Sequence, residues 1–365
     1  MQILLLLAVL FLAASNGAND NFKGVATLYG SRVAGYWTSL GWASVTTLAG
    51  SSCSLFLASA LFKEFTGAGL VPDATAAQTG FALAVAAGAA LTIAAGSWRG
   101  FPISTTHALI GAMCGAGLVA VGGGNVHFAA LGKTFLLPLL ASPLIAIVPA
   151  WIIAPWLRKL AARGARDPEC ICRTRAVLGV TPDGMLWRGS AEPMRATTAE
   201  CAIHGARPNL LRSDARGAVN ALLFLSGGAV SFARGLNDTP KIAALLLPIA
   251  LLDGGSAVLA VGVAMLIGGV IGARRVARTM SDKITTLDLG AALAASLTTG
   301  LLVSTASVSG LPVSTTHVSV GALAGAGAHG GSGVDRKVMI HIALSWIVTL
   351  PIGALFGALV YWAVG

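Results

Sequence analysis

Charge is what this sequence has least of: only 10% of its 365 residues are Asp, Glu, Lys or Arg, where a soluble domain carries about 25%. A soluble monomer could not hide the corresponding apolar surface, so the bilayer must be the solvent. The 55% hydrophobic content excludes disorder. The 46 glycines follow no three-residue period, which excludes collagen. The apolar runs do not alternate with polar residues, which excludes a porin-type barrel. No HExxH, Gly-x-Ser-x-Gly or P-loop is present, so ATP-driven transport would need another subunit. No basic stripe is interleaved with aromatics, so nucleic acid is not a partner. What is present is an all-α polytopic membrane protein, with mean hydropathy +0.80.

Ten apolar segments are expected, each near the roughly 20 residues a span needs. They are 3–34 (interrupted), 36–62, 79–97, 107–124 and 130–157, then 217–251 (interrupted), 254–273, 289–306, 313–329 and 338–364. Met1–Asn16 has a signal-peptide-like apolar core at Leu4–Leu12 and small residues at Ala13-Ala14-Ser15. It lacks a basic n-region and runs into a motif that recurs later, so it reads as the first half of a membrane helix. The segment from Arg158 to Arg216 holds eleven Lys/Arg and six Asp/Glu. Placing it in the cytoplasm and alternating outward puts 19 of the 24 basic residues inside. The expected organisation is a first membrane repeat at 1–157, a cytoplasmic hydrophilic insert at 158–216, and a second, inverted repeat at 217–365.

The halves share two motifs in the same order. Gly17-Ala18-Asn19-Asp20-Asn21-Phe22-Lys23 matches Gly235-Leu236-Asn237-Asp238-Thr239-Pro240-Lys241 at an offset of 218. Pro102-Ile103-Ser104-Thr105-Thr106-His107 matches Pro312-Val313-Ser314-Thr315-Thr316-His317 at an offset of 210. With an odd number of spans, about five per unit, the two copies must insert upside down. Inverted-topology repeats with broken helices or helical hairpins mark secondary transporters, whose site lies at the midplane between repeats.

Asp and Lys inside a span are expensive, and their default reading is functional. Gly17 and Gly235, with Pro240, favour unwinding and would turn free carbonyls into a cavity. Asn19, Asp20, Asn237 and Asp238 are hard oxygen ligands for a small coupling cation, a proton or a sodium ion. The competing structural reading is an Asp–Lys pair at helical spacing. In the second motif Ser104 or Thr105, and Ser314 or Thr315, can cap a helix whose N–H donors and dipole form an anion site. The substrate-binding set is then Asn19, Asp20, Lys23, Ser104, Thr105, Thr106, Asn237, Asp238, Lys241, Ser314, Thr315 and Thr316. His107 and His317 are candidates for a proton relay, against a plain cap-holding role. Arg234 and Asp253, with no first-half counterparts, read as a local ion pair.

In the insert, Cys170-x-Cys172 and Cys201-x-x-His204 could bind zinc, against a reading as reduced cytosolic thiols. Ala176–Arg188 has a hairpin pattern around Asp183-Gly184. Cys53 and Cys114 read as packing residues.

The duplicated Asn-Asp and Pro-x-Ser-Thr-Thr-His motifs, separated by a hydrophilic loop, resemble the inorganic phosphate transporter (PiT) family. The resemblance covers 1–157 and 217–365. It implies cation-coupled uptake of inorganic phosphate, paired helical hairpins and a site shared between repeats, in the cytoplasmic membrane of a prokaryotic cell. Relatives include sulfate carriers, so another tetrahedral oxyanion is the alternative. A homodimer is also compatible with the family. The chain departs from the pattern where Lys23 and Lys241 stand in place of Asn, and where Thr46 and Thr47 occupy the region of a second-span Glu. Both departures weigh against a sodium site. An intramembrane hydrolase using Asp20, Asp238, His107 and His317 is disfavoured, because an enzyme needs one asymmetric site rather than two matched halves. A channel finds no filter-like repeat.

Overall fold

In this computed structural model the described residues are 1–67, 69–163, 215–249, 251–284, 288–329 and 334–365, with five short strands of the insert between 169 and 208. Ten helices carry the architecture: α1 (Gln2–Asp20), α2 (Tyr36–Leu57), α3 (Thr79–Trp98), α4 (Thr105–Val121), α5 (Leu137–Arg163), α6 (Ala215–Ala243), α7 (Gly254–Gly272), α8 (Leu289–Val308), α9 (Thr315–Gly327) and α10 (Arg336–Val364). They fall on the ten expected segments. Among the described residues, eight helical stretches are long and apolar enough to cross a membrane. The two short ones, α4 and α9, are those that begin at the Pro-x-Ser-Thr-Thr-His motifs. Large apolar side chains such as Phe56, Trp156, Ile271 and Trp362 cover the outside, as a lipid solvent requires.

Helix contacts occur in exchanged pairs. α1 packs on α7 and α3, while α6 packs on α2 and α8. α4 and α3 pack on α10, while α9 and α8 pack on α5. Each half therefore borrows a final helix from the other, and neither half can bury its hairpin alone.

The turn between α3 and α4 shows how local sequence builds that hairpin. Gly100 N–H bonds Ser97 O and Phe101 N–H bonds Gly96 O, at 2.9 and 3.0 Å. This is a Schellman stop, with Gly100 at φ +76°, where a Cβ would be strained. Pro102 follows and prevents continuation. Ser104 then accepts a bond from His107 N–H at 3.2 Å and caps the next helix. The second half repeats every step through Gly310 (φ +70°), Leu311, Pro312 and Ser314.

One expectation is corrected. Gly17 and Gly235 do not unwind their helices; both lie in helical turns. A Cβ at Gly17 would collide with the Met265 carbonyl on α7, and one at Gly235 with the Thr47 carbonyl on α2. Their missing side chains serve close helix approach, the small-residue packing of membrane interiors. The first helix instead breaks after Asp20, before a short 3₁₀ turn at Lys23–Val25. α6 runs through Pro240 to Ala243.

In the insert, β1 (Glu169–Arg173) pairs antiparallel with β4 (Pro193–Thr197) and β5 (Arg207–Pro208). β2 (Leu178–Val180) and β3 (Leu186–Arg188) form the expected hairpin. Cys170 and Cys172 lie on β1. Cys201 and His204 lie outside the described residues, so the proposed zinc set stays an expectation.

The packing predicts that Gly235→Val destabilises the chain by at least about 2 kcal/mol through overpacking against α2. Gly124→Ala, at a position open to 4 Å, should be neutral. Thermal melting in detergent checks both; equal melting temperatures would refute the close-packing role.

Candidate functional site

The four motif segments meet in one buried cluster. All twelve residues of the expected substrate-binding set are at most 5% exposed. Asn19 and Asp20 end α1, Lys23 sits on the following 3₁₀ turn, and Asn237, Asp238 and Lys241 lie on the last turns of α6. The hairpin turns supply Ile103 and Val313 carbonyls and the first residues of α4 and α9.

Lys23 Nζ is surrounded by four oxygens. They are Asp20 Oδ1 at 2.5 Å, Thr316 Oγ1 at 2.6 Å, Asn19 Oδ1 at 2.7 Å and Ile103 O at 2.9 Å. A carboxylate, an amide oxygen, a carbonyl and a hydroxyl are the ligands a hard cation takes. The ammonium is the resident cation of that cage. Lys241 repeats the arrangement more loosely, with Val313 O at 2.8 Å, Thr106 Oγ1 at 3.0 Å and Asp238 Oδ1 at 3.6 Å. Each lysine thus bonds a hydroxyl from the other half, and Thr316 and Thr106 pass the bond on to Ile103 O and Val313 O.

Ser104 and Ser314 spend their hydroxyls as helix caps. The amides of the first turns of α4 and α9 have no intrahelical acceptors and concentrate positive potential in the cluster. The arrangement therefore offers two fixed ammonium groups and two helix N-termini to an anion, balanced by two carboxylates. The Asp–Lys pairs at helical spacing are real, so the structural and functional readings of these motifs coincide.

Several contributors lay outside the sequence-based set. Asn16 Nδ2 reaches Thr105 Oγ1 at 2.8 Å, Asp238 Oδ2 at 3.2 Å and Asp20 Oδ2 at 3.4 Å, tying both aspartates together. Asn19 Nδ2 donates to Ser97 Oγ at 2.9 Å, and Ser307 Oγ donates to Asn237 Oδ1 at 3.3 Å. Ser97 and Ser307 are related by the same offset of 210, a signal that extending the motif alignment would have exposed.

His107 and His317 come together, with ring centroids 4.7 Å apart, but no hydrogen bond links either ring to the aspartates or lysines among the described residues. His317 packs on Trp346 at 3.9 Å and its Nδ1 lies 2.9 Å from Leu139 O. Both rings line a cavity of about 400 Å³ with Leu140, Pro143 and Trp346.

The expected Arg234–Asp253 pair is not formed. Asp253 is exposed and caps α7 through Ser256, whose amide and hydroxyl both bond its carboxylate. Those bonds hold its carboxyl below the usual range. Arg234 is fully buried on α6. Asp253 sits at an exposed helix start, whereas Arg234 is one turn from Asp238 in the interior.

The chain matches the model described as the phosphate transporter family over residues 16–357. It is 26% identical to a putative phosphate permease of Haemophilus influenzae, covering 96% of this chain and 94% of that protein. It is 28% identical to the chloroplastic inorganic phosphate transporter 2-1 of Arabidopsis thaliana, over 76% of this chain and 57% of the relative. A 107-residue stretch is 38% identical to the low-affinity inorganic phosphate transporter PitA of Escherichia coli, spanning about a fifth of that relative at 21%. A solved structure described as the sodium-dependent phosphate transporter shares the fold, with TM-score 0.74, 23% identity, and coverage of 99% of this chain and 98% of that one.

The ion-pair geometry predicts that Lys23→Met, which strands Asp20, lowers stability by about 3–5 kcal/mol. Adding Asp20→Asn should recover at least half of that loss. Denaturant or thermal unfolding checks the cycle; an additive double variant would show the pair is uncoupled.

Proposed function

The chain belongs to the phosphate transporter family, an integral membrane family of carriers rather than enzymes, and on that premise we propose that it imports inorganic phosphate by cation-coupled alternating access. The observation that carries the reading is the pair of oxygen cages around Lys23 and Lys241, set beside two helix N-termini at the junction of the halves. The two halves act as inverted repeats, so closing one hairpin on the site accompanies opening of the other. The insert at 158–216 faces the cytoplasm of a prokaryotic cell.

The substrate is a tetrahedral oxyanion. The Thr315 hydroxyl and the first amides of α4 and α9 donate to it, the Thr106 and Thr316 hydroxyls turn to it from Val313 O and Ile103 O, and Lys23 and Lys241 supply charge. Within the motifs Asp20, Asp238, Lys23 and Lys241 sum to zero, so these four groups alone do not balance a bound anion in low dielectric. The ammonium groups already fill the oxygen positions that a sodium ion would use. Sodium is therefore replaced by fixed cations, and protons complete the coupling.

Two measurements test this. Uptake of labelled phosphate into proteoliposomes should follow an imposed proton gradient and ignore sodium in the wild type, and become sodium-responsive in Lys23→Asn/Lys241→Asn. Strict sodium dependence of the wild type would overturn the replacement of sodium, and no phosphate uptake under either gradient would overturn the carrier itself. Sulfate that outcompetes phosphate in the same vesicles would reassign the substrate to the other oxyanion. Separately, Thr315→Val, which keeps shape and deletes a hydroxyl, should weaken phosphate binding about 5- to 10-fold; wild-type affinity would rule out direct contact.

A further inference from the structure

Arg234 is 1% exposed, yet its Nε and both Nη atoms have no hydrogen-bond partner among the described residues. A guanidinium does not shed its charge, and an unmet one in low dielectric is costly. It lies three, four and seven residues before Asn237, Asp238 and Lys241, hence on the same face of α6. The negative charges acting on it are those of Asp238 and Asp20. Lys23 also lies within its field. Counting it, three buried cations (Lys23, Arg234, Lys241) face two buried carboxylates (Asp20, Asp238), a formal excess of one positive charge.

The repeat locates where that excess is directed. The offset of 218 that relates Asp20 to Asp238 also relates Asn16 to Arg234, so Arg234 does have a first-half counterpart. Asn16 bonds the first helical residue of its hairpin, Thr105, at 2.8 Å. The equivalent partner of Arg234 is Thr315, related to Thr105 by 210. Arg234 makes no such bond, and no hydrogen bond of the Thr315 hydroxyl occurs among the described residues. Where the first half closes on itself, the repeat relation pairs an unbonded guanidinium in the second half with the Thr315 hydroxyl and the open amides of α9. All are donors.

We propose that Arg234 is the principal anion-binding residue of the carrier, its guanidinium fork taking two oxygens of the tetrahedral oxyanion while Thr315 Oγ1 and the first amides of α9 take another. The anion then sits off the pseudo-two-fold, on the side of the second repeat, and Asn16–Thr105 is the lock that holds the opposite side shut. A planar fork matches two oxyanion oxygens in a way that an ammonium cannot. One charge of the anion cancels the formal excess. A singly charged anion therefore needs no added cation, and a doubly charged one leaves a single negative charge for a coupling proton. This inference rests on the phosphate-carrier reading and adds the residue and the side of the site that it uses.

The test is equilibrium binding of labelled inorganic phosphate to the purified full chain, with melting temperatures measured in the absence of phosphate. Arg234→Gln should lose at least about 30-fold in affinity, Arg234→Lys about 10-fold, and Thr315→Val should lose more than Thr105→Val. Arg234→Asn places in the second half the residue the first half holds there, and serves if Arg234→Gln does not fold. Wild-type affinity in Arg234→Gln or Arg234→Asn would overturn the proposal. Full rescue by Arg234→Lys would overturn the fork, since a merely charge-balancing role needs no planar group. A wild-type chain that binds no phosphate would overturn the carrier reading as well, an outcome distinct from a wild type and an Arg234 variant that bind equally.

Discussion

Two lysines and two aspartates inside a membrane-embedded cluster constrain everything around them. Each charge must have opposite charge or oriented dipoles within a few ångströms. For Lys23 this means a carboxylate from α1, a carbonyl from its own hairpin turn and a hydroxyl from the other half. For Lys241 it means the mirror arrangement. Separating the halves would take one hydroxyl from each ammonium group, Thr316 from Lys23 and Thr106 from Lys241, so the lysine cages tie the site to the interface between the halves.

That coupling gives a physical basis for transport. A carrier must expose its site alternately to two sides without leaving it hydrated from both. Here the hydroxyls that complete each lysine cage belong to the opposite hairpin, so movement of one hairpin changes the coordination of a buried cation in the other half. On the proposed carrier reading, an oxyanion arriving at the helix N-termini competes with the aspartates for the same ammonium groups. Binding and rearrangement therefore act on one set of charges.

The pattern of what the sequence revealed follows from repetition. Asn19, Asp20, Ser104, Thr105 and their partners stood out because each occurs twice at a fixed offset, and charge in an apolar run is conspicuous. The helix start at Ser104 is local chemistry and is legible in sequence, whereas the stop at Gly100 emerges from its positive φ in the structure. Ser97 and Ser307 share the offset of 210 and are legible once the alignment is extended, whereas a single amide such as Asn16 is ordinary in a membrane helix and only the fold shows that it reaches both aspartates. Arg234 was assigned to the wrong partner because Asp253 is its nearest unclaimed acid downstream in sequence. In space, one is a buried helix face and the other a solvent-exposed cap. Gly17 and Gly235 suggest unwinding from sequence, yet they are contact points, a distinction that depends on which helix lies opposite.

The sequence by itself determined the membrane environment, the ten helices, the duplication and the chemical classes of the site residues, because hydropathy, capping and repeat offset are properties of neighbouring residues. Tertiary structure alone decided which half completes which cage, that Asn16 bridges both aspartates, and that Arg234 has no hydrogen-bond partner among the described residues. These depend on the exchange of helices between the halves, α5 onto α8 and α9, and α10 onto α3 and α4. Contacts between residues more than a hundred positions apart are set by packing, and no local pattern records them.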